Sequence, residues 1–438
     1  MMLEDYIRQH AIDQPDKVAV VCEGRETTYR ELWEAVDQRS WQLVDNGVGA
    51  GRVVVARTAQ TTDFLIDYFA VHLAGATAMP LEKNMPSGRF DDIRQRYESM
   101  MMPDGIADIL FTTGTTGKSK GVMVSHNTII ADAENLIDGQ GFTPETTFII
   151  CGPLNHIGSL SKVYPVMMQG GTLIILEGMK DMEAFFNALD YPSTKMATFM
   201  VPATIRILLS LAKKRLAGYA GKIDFIEAGA APLMLSDMQA LCETLPTTRL
   251  YNTYASTETG IITTYNYNDG RCMAGCLGRP MRHSEVFITD EGLIACKGKT
   301  LMTGYAGEPE MTAQILRDNT IFTSDRGYID DEGMLHIEGR NDDIINVGGF
   351  KVAPNEVENV AMSLPDIKDC ICIAVDHPIT GKALKLLVAL NDGYTLDKRK
   401  IARHINATLE SYKVPMLYEQ ADSIHRTFNG KLNRKAYS

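Results

Sequence analysis

The 438-residue chain has no apolar run of membrane-spanning length, no internal repeat, no low-complexity tract and no long flexible linker. A membrane span and a stacked-repeat architecture are therefore not expected. The opening residues, MMLEDYIRQHAIDQPDK, lack a basic segment followed by an apolar one, so no secretory leader is expected either. Positive charge is in deficit: the formal net charge of −12 argues against general nucleic-acid or membrane-surface binding. The eight cysteines are scattered, and the closest pairs, Cys272/Cys276 and Cys370/Cys372, lack the C-x-x-C spacing and histidine partners of a zinc site. They read as buried thiols of a cytoplasmic protein.

What is present is an ordinary soluble composition, 45 % hydrophobic and 22 % charged, on a chain long enough for two or more domains. From Asn341 onward there are 13 Lys+Arg against 12 Asp+Glu, whereas the preceding residues hold 30 against 43. A near-neutral tail on an acidic body suggests two domains, 1–340 and 341–438. In the first, short apolar strands alternate with helix-periodic segments: VAVVC, YRELWEAVDQRSWQLVDNG, VVVAR, TTDFLIDYFAVHLAG, TAMPLE. The rhythm returns in TLIILEG, MATFMVP, KIDFIEAG and RLYNTY, and predicts parallel or mixed sheets with flanking helices. After about residue 280 the strands shorten around turns. In the last hundred residues Pro354 marks a helix start, and KDCICIAVDH and KALKLLVAL read as strands of a compact α+β unit.

Residues 112–121, TTGTTGKSKG, crowd glycines, hydroxyls and lysines into one loop. A Walker A loop, G-x-x-x-x-G-K-[ST], needs a glycine where Thr112 stands and opens directly into a helix. Here the loop runs into GVMVS, a strand pattern, and the next helix is predicted only after Ser125, an N-cap residue. The segment is a glycine-rich connection between two strands. Its backbone N–H groups, threonine hydroxyls and lysines suit a phosphate.

FTTGTTGKSKGV resembles the phosphate loop of the adenylate-forming superfamily, which includes acyl- and aryl-CoA synthetases, peptide-synthetase adenylation domains and luciferases. Ser119 stands where proline is usual. GAAPL (229–233), YASTE (254–258, with Ala255 for the usual glycine), LMTGYAGEPEMT (301–312), TSDRGYIDDEGMLHIEGRNDDIINVGGFKVAPNEVE (323–358) and RTFNGKLNR (426–434) resemble further motifs of the same family in the same order. The resemblance covers essentially the whole chain. It implies an α/β fold: a large N-terminal domain of parallel or mixed sheets with flanking helices and a short-stranded β section, then a small mobile α+β C-terminal domain.

It also implies ATP-dependent activation of a carboxylic acid. Thr112, Thr113, Gly114, Thr115, Thr116, Gly117 and Lys120 would hold the β- and γ-phosphates. Thr257 would bond the α-phosphate and Glu258 would bind Mg²⁺ through oxygen. Tyr254, with Ala255 and Ser256 in its motif, would stack on adenine, lined by Gly229, Ala230, Ala231 and Pro232; Tyr254 also reads as a half-buried core aromatic. Asp325 and Arg340 would contact the ribose hydroxyls, and Lys431 would reach the reacting phosphoryl and carboxylate oxygens. Asp342 resembles a hinge for rotation of the small domain, although Asp343 could serve, and Gly348, Gly349, Phe350 and Lys351 resemble the thiol tunnel.

CGPLNHIGSL (151–160) resembles the acyl-side pattern of acyl- and aryl-CoA synthetases, placing His156 at the acyl carboxylate, while a lone histidine also reads as structural. No counterpart is evident for the aspartate with which amino-acid-activating relatives hold an amino group. The expected substrate is thus a plain carboxylic acid, fatty or aryl, and the acceptor thiol is CoA or the phosphopantetheine of a freestanding acyl carrier protein. A homodimer is compatible with the sequence, and so is a catalytically silent relative that binds nucleotide or acyl ligand. Only about thirty residues run from Ala78 of AMPLEKNMPS to Ile109 of ILFTTG, where the family carries a longer stretch. That shortening is expected to trim a sheet edge rather than the site.

Overall fold

A computed structural model describes residues 1–113, 119–378, 380–426 and 432–437. Helix α1 (Leu3–Asp13) precedes the hairpin β1 (Val18–Cys22) and β2 (Arg25–Thr28). Thr28 and Glu31 then form a reciprocal capping box that starts α2 (Tyr29–Asp45). Next come β3 (Val53–Arg57), α3 (Thr62–Leu73), β4 (Thr77–Leu81) and α4 (Ser87–Glu98). The antiparallel pair β5 (Ile106–Thr113) and β6 (Ser119–Ser125) follows, and Ser125 accepts from the Thr128 amide to start α5 (His126–Gln140).

The chain then alternates regularly: β7 (Thr147–Ile150), α6 (Ile157–Gln169), β8 (Thr172–Ile175), α7 (Met182–Leu189), β9 (Met196–Met200), α8 (Pro202–Ala217), β10 (Ile223–Ala228), α9 (Leu235–Thr244) and β11 (Arg249–Ser256). TFII, TLII and MATFM are buried at every position, as strands covered on both faces must be. Shorter antiparallel strands follow: β12 (Gly260–Asn266), β13 (Cys276–Pro280), β14 (Ser284–Ile288), β15 (Leu293–Gly298), β16 (Gly304–Tyr305), then α10 (Pro309–Ile315), β17 (Leu316–Arg317), β18 (Thr320–Ile329) and β19 (Leu335–Arg340).

A fourteen-stranded sheet runs β14-β15-β18-β19-β13-β12-β11-β10-β9-β7-β8-β1-β2, with β17 on β18. Two apolar cores cover its parallel part: one includes Phe148, Phe199, Phe225 and Tyr251, the other Ile149, Phe186, Ile226 and Leu250. A five-stranded sheet, β16-β6-β5-β4-β3, carries the glycine-rich loop. Helix α4 spans the shortened connection, β4 pairs directly with β5, and β3 is the edge strand on that side of the sheet. Shortening therefore leaves the strand that feeds the loop in place.

The C-terminal part has its own core. Hairpin β20 (Ile345–Val347) and β21 (Phe350–Val352) leads to α11 (Pro354–Met362), which Pro354 opens at its first turn. Strands β22 (Ile367–His377) and β23 (Gly381–Leu390), helix α12 (Lys398–Thr408) and β24 (Leu417–Gln420) complete it. Val352, Val357, Leu384, Ile401 and Ile405 are buried together there. The expected α/β class, with a large mixed-sheet domain and a small C-terminal one, is borne out.

Candidate active site

Parallel strands β9 and β10 end side by side at Met200 and Ala228, opposite Asn252 of β11, which runs on four residues to Ser256; this is the edge of an open sheet where ligands enter because the connecting loops diverge. The glycine-rich loop stands between two strands as expected: Thr112 pairs with Lys120 and Thr113 with Ser119, and the helix begins only after Ser125. Gly114, Thr115, Thr116 and Gly117 lie outside the described residues. At the loop's base, the Thr112 hydroxyl is buried and makes no hydrogen bond among the described residues, which suits an incoming phosphoryl oxygen. A Cβ at Gly121 would sit 2.9 Å from the Tyr97 hydroxyl of α4 and 2.8 Å from Ile109, so only glycine lets the helix pack there.

Thr257 and Glu258 sit in the three-residue loop from β11 to β12, both half-buried. Ser256 and Thr259 close this loop reciprocally: the Thr259 amide donates to Ser256 Oγ at 3.0 Å and the Ser256 amide to Thr259 Oγ1 at 3.1 Å. Ala255 lies where the ladder register shifts, after Tyr254. Glu258 is held twice more. Its carbonyl accepts from the Met302 amide at 2.8 Å, and its Oε1 accepts from the Tyr305 hydroxyl at 2.9 Å. Tyr305 lies on β16, beside the loop strand β6, and its ring receives the Lys120 ammonium 4.9 Å from its centroid. Lys120, Tyr305 and Glu258 thus form one contact chain.

Near the same C-terminal end of β11, the buried Tyr254 donates its hydroxyl to Asp325 Oδ2 at 2.7 Å. Burial, then the Asp325 carboxylate, push the Tyr254 phenol well above its usual range, so it stays a donor. Asp325 on β18 is the cross-strand partner of Arg340 on β19, with Nε to Oδ1 at 3.8 Å. The three residues expected at the adenosine are therefore joined, with Tyr254 set in the core by its ring and tied to the aspartate by its hydroxyl. Gly229, Ala230, Ala231 and Pro232 follow the end of β10. Ala230 has φ +67°, a conformation unfavourable for a residue with a Cβ, and marks this turn as constrained.

On the acyl side, His156 Nδ1 accepts from the Gly158 amide at 3.2 Å and caps α6, which puts the neutral ring's proton on Nε2. The ring of Phe199, at the end of β9, lies 3.0 Å from a Cβ built on Gly158 and 3.2 Å from one on Gly229, so it wedges between the acyl-side and adenine-side segments. Deeper in α6, the Lys162 ammonium lies 2.8 Å from the Glu227 carboxylate, both 1 % exposed. Neither Phe199 nor Lys162 carries a motif in the sequence.

In the C-terminal part, Gly348 and Gly349 have φ +59° and +95°. They form the two-residue turn between β20 and β21, a geometry that itself calls for residues without a Cβ. Phe350 stacks on Tyr412 at 4.5 Å and is exposed, as is Lys351. The Asp342 side chain and Lys431 lie outside the described residues. Asp343 lies 3.6 Å from Arg434 Nε. Arg434 donates to buried Glu358 at 3.0 Å, and Arg426 donates to Asp369 at 2.7 Å, so the lysine motif is anchored on both flanks.

Outside this region, Glu4, His72 and His126 place ligand atoms close enough for a metal. His72 already spends both nitrogens, Nδ1 on Glu4 at 2.9 Å and Nε2 on Asp108 at 3.1 Å. Burial disfavours its charge, but the two carboxylates more than offset that and hold it at about 10. A protonated imidazolium has no lone pair for a metal, so this cluster is a buried ion network.

The AMP-binding enzyme family matches this chain over residues 7–102 and 88–306, and its C-terminal domain over 356–431. The chain is 30 % identical over 344 residues to a long-chain-fatty-acid–CoA ligase of Bacillus subtilis, 75 % of this chain and 61 % of that protein. It is 24 % identical over 483 aligned positions to a 2-succinylbenzoate–CoA ligase of Geobacillus sp., 99 % and 96 % of the two chains. Among solved structures, ATP-bound MatB from Rhodopseudomonas palustris superposes with a TM-score of 0.90 at 25 % identity, covering 100 % of this chain and 99 % of the other. The expected adenylate-forming resemblance is borne out, and with a match running from residue 7 to residue 306 the chain belongs to the family of AMP-binding enzymes.

Proposed function

We propose that this protein is an AMP-forming acid–thiol ligase. The carrying observation is the convergence, at the ends of β9 to β11, of the phosphate-loop strand with Lys120, the Thr257–Glu258 turn and the Tyr254–Asp325–Arg340 chain. Segments separated by more than two hundred residues supply one cation, one carboxylate and one diol acceptor along a single edge. That layout fits ATP laid with its phosphates at Lys120 and its ribose at Asp325.

The chemistry follows from the poor reactivity of a carboxylate. Its oxygen attacks the α-phosphorus, the bond to the bridging oxygen of the β-phosphate breaks, and pyrophosphate leaves. A thiol then attacks the acyl carbon, the carbon–oxygen bond to AMP breaks, AMP leaves, and the thiol proton passes to solvent. Positioning and charge stabilisation dominate such transfers. Lys120 and the loop amides hold the β- and γ-phosphates, Thr257 donates to the α-phosphate, and Lys431 neutralises charge on the reacting oxygens. The half-buried Glu258 suits a hard cation: Tyr305 engages one carboxylate oxygen and leaves the other for oxygen ligation. Mg²⁺ bound there supplies positive charge to the polyphosphate.

Residues 1–340 form the adenylation domain and 341–438 the lid that carries Lys431 and the β20–β21 hairpin, with Asp342 as hinge; Asp343 is already engaged by Arg434. CoA is the acceptor, in keeping with the CoA-ligase relatives. A carrier protein's phosphopantetheine would use the same hairpin. ATP–pyrophosphate exchange with Mg²⁺ across fatty, aryl, small and amino acids tests this reading. Exchange with one class names the substrate, and CoA or carrier protein added next names the acceptor. Absence of exchange with every acid, despite ATP binding, refutes it in favour of a silent relative.

A further inference from the structure

We infer that Tyr305 is a positioning residue that sets both ends of the triphosphate site at once, its ring face placing the Lys120 ammonium and its hydroxyl orienting the Glu258 carboxylate. This rests on the adenylation reading of those two residues. The contacts are direct: the ammonium lies 4.9 Å from the ring centroid, and the hydroxyl donates to Glu258 Oε1 at 2.9 Å. Tyr305 pairs with Val122 across the β16–β6 ladder, so Lys120, two residues before Val122, is its diagonal neighbour on the same face.

Tyr305 is itself fixed. It is 3 % exposed, and its amide donates to Thr312 Oγ1 at 2.9 Å. The neighbouring Ala306 amide donates to the Gly121 carbonyl at 2.8 Å, and Met302, three residues earlier, donates to the Glu258 carbonyl at 2.8 Å. One short segment is therefore bonded to the loop strand and to the acidic turn. A lysine and a carboxylate serving one polyphosphate would otherwise attract each other and close the space between them. The ring between them holds the cation by its quadrupole, the hydroxyl takes one carboxylate oxygen, and the two charges stay apart.

The test uses the full chain and its variants Tyr305→Phe and Tyr305→Leu, with ATP binding followed by calorimetry in EDTA and in graded MgCl₂. Phenylalanine keeps the ring and removes the hydroxyl. Its expected signature is unchanged ATP affinity in EDTA and about a tenfold higher MgCl₂ requirement, the loss of one hydrogen bond to a charged group. Leucine removes the ring too, and ATP affinity in EDTA should fall by about fivefold. Lys120→Met should show at least that fall, and the Lys120→Met/Tyr305→Leu double variant no further fall than Lys120→Met alone.

A wild-type MgCl₂ requirement in Tyr305→Phe, or wild-type EDTA affinity in Tyr305→Leu, overturns the inference. So does a lowered unfolding midpoint with neither quantity moved, which would mark Tyr305 as a packing residue. ATP binding that shifts as stated, without exchange on any acid, supports the inference while refuting the ligase reading. Absence of ATP binding by the wild type overturns both.

Discussion

Glu4→Gln should expose how much stability this protein draws from a buried positive charge. Glu4 on α1, His72 on α3 and Asp108 on β5 are each 0–1 % exposed and bonded in sequence through the imidazole. Tyr68 of α3 and Tyr164 of α6 donate to Asp108 at 2.9 Å and 3.4 Å. His126 of α5 packs edge-on against His72, its own pKa lowered by burial and by the His72 charge. With His72 at about 10 in the fold and 6.5 as its ordinary value, the gap corresponds to about 5 kcal/mol of proton-linked stability. That contribution is whole below pH 6.5 and is lost as pH rises through 10, because folding holds a proton that the unfolded chain releases. Two carboxylates share it, so the isosteric Glu4→Gln should cost about half, roughly 2–3 kcal/mol at pH 6. The deficit should shrink at higher pH, by about 1.4 kcal/mol for each unit over which wild-type His72 stays charged and the variant's does not. Urea unfolding at pH 6, 7.5 and 9, followed by tryptophan fluorescence, suits the question, since Trp33 of α2, the helix packed on α1 and α3, lies against the core, while Trp41 on the same helix is exposed. A deficit that is constant or widens from pH 6 to 9 refutes a charged His72.

Lys162→Met should destabilise by about 3–5 kcal/mol by leaving the Glu227 carboxylate buried without its partner, and Lys162→Met/Glu227→Gln should regain most of it, both read from denaturant midpoints. Asp325→Asn should raise KM for ATP by about tenfold or more in pyrophosphate exchange, because a charged acceptor for Tyr254 and for the ribose is lost. Lys431→Ala should lower adenylation by about 10²–10³ while ATP binding and the unfolding midpoint hold; unchanged adenylation would remove that lysine from the chemistry.

The adenosine and acidic-turn residues were legible in the sequence because each lies in a short motif whose backbone is locally defined. The strand-loop-strand setting of TTGTTGKSKG could be read from the alternation in GVMVS and from Ser125, and the structure has both. The β7 to β11 rhythm was equally open, since strands covered on both faces must be continuously apolar. Tyr305 was not. It sits in LMTGYAGEPEMT as a plain aromatic, and its value arises from meeting Lys120, 185 positions earlier, across a two-residue strand. The glycines of Gly348-Gly349 were visible, but their reason was not: close approach to a thiol was expected, and the hairpin turn already requires them.

By itself the sequence determined the local conformations, the layered α/β class and the family, because hydrophobic period, caps and turn residues act over a few neighbours. Tertiary structure decided which charges meet. His72 becomes an imidazolium between Glu4 and Asp108, Lys162 is admitted to a core helix by Glu227, and Glu258 meets the Tyr305 hydroxyl. The physical reason is that the energy of a charge depends on its burial and on its partner's position, and both are set by strand order rather than by neighbours in the chain.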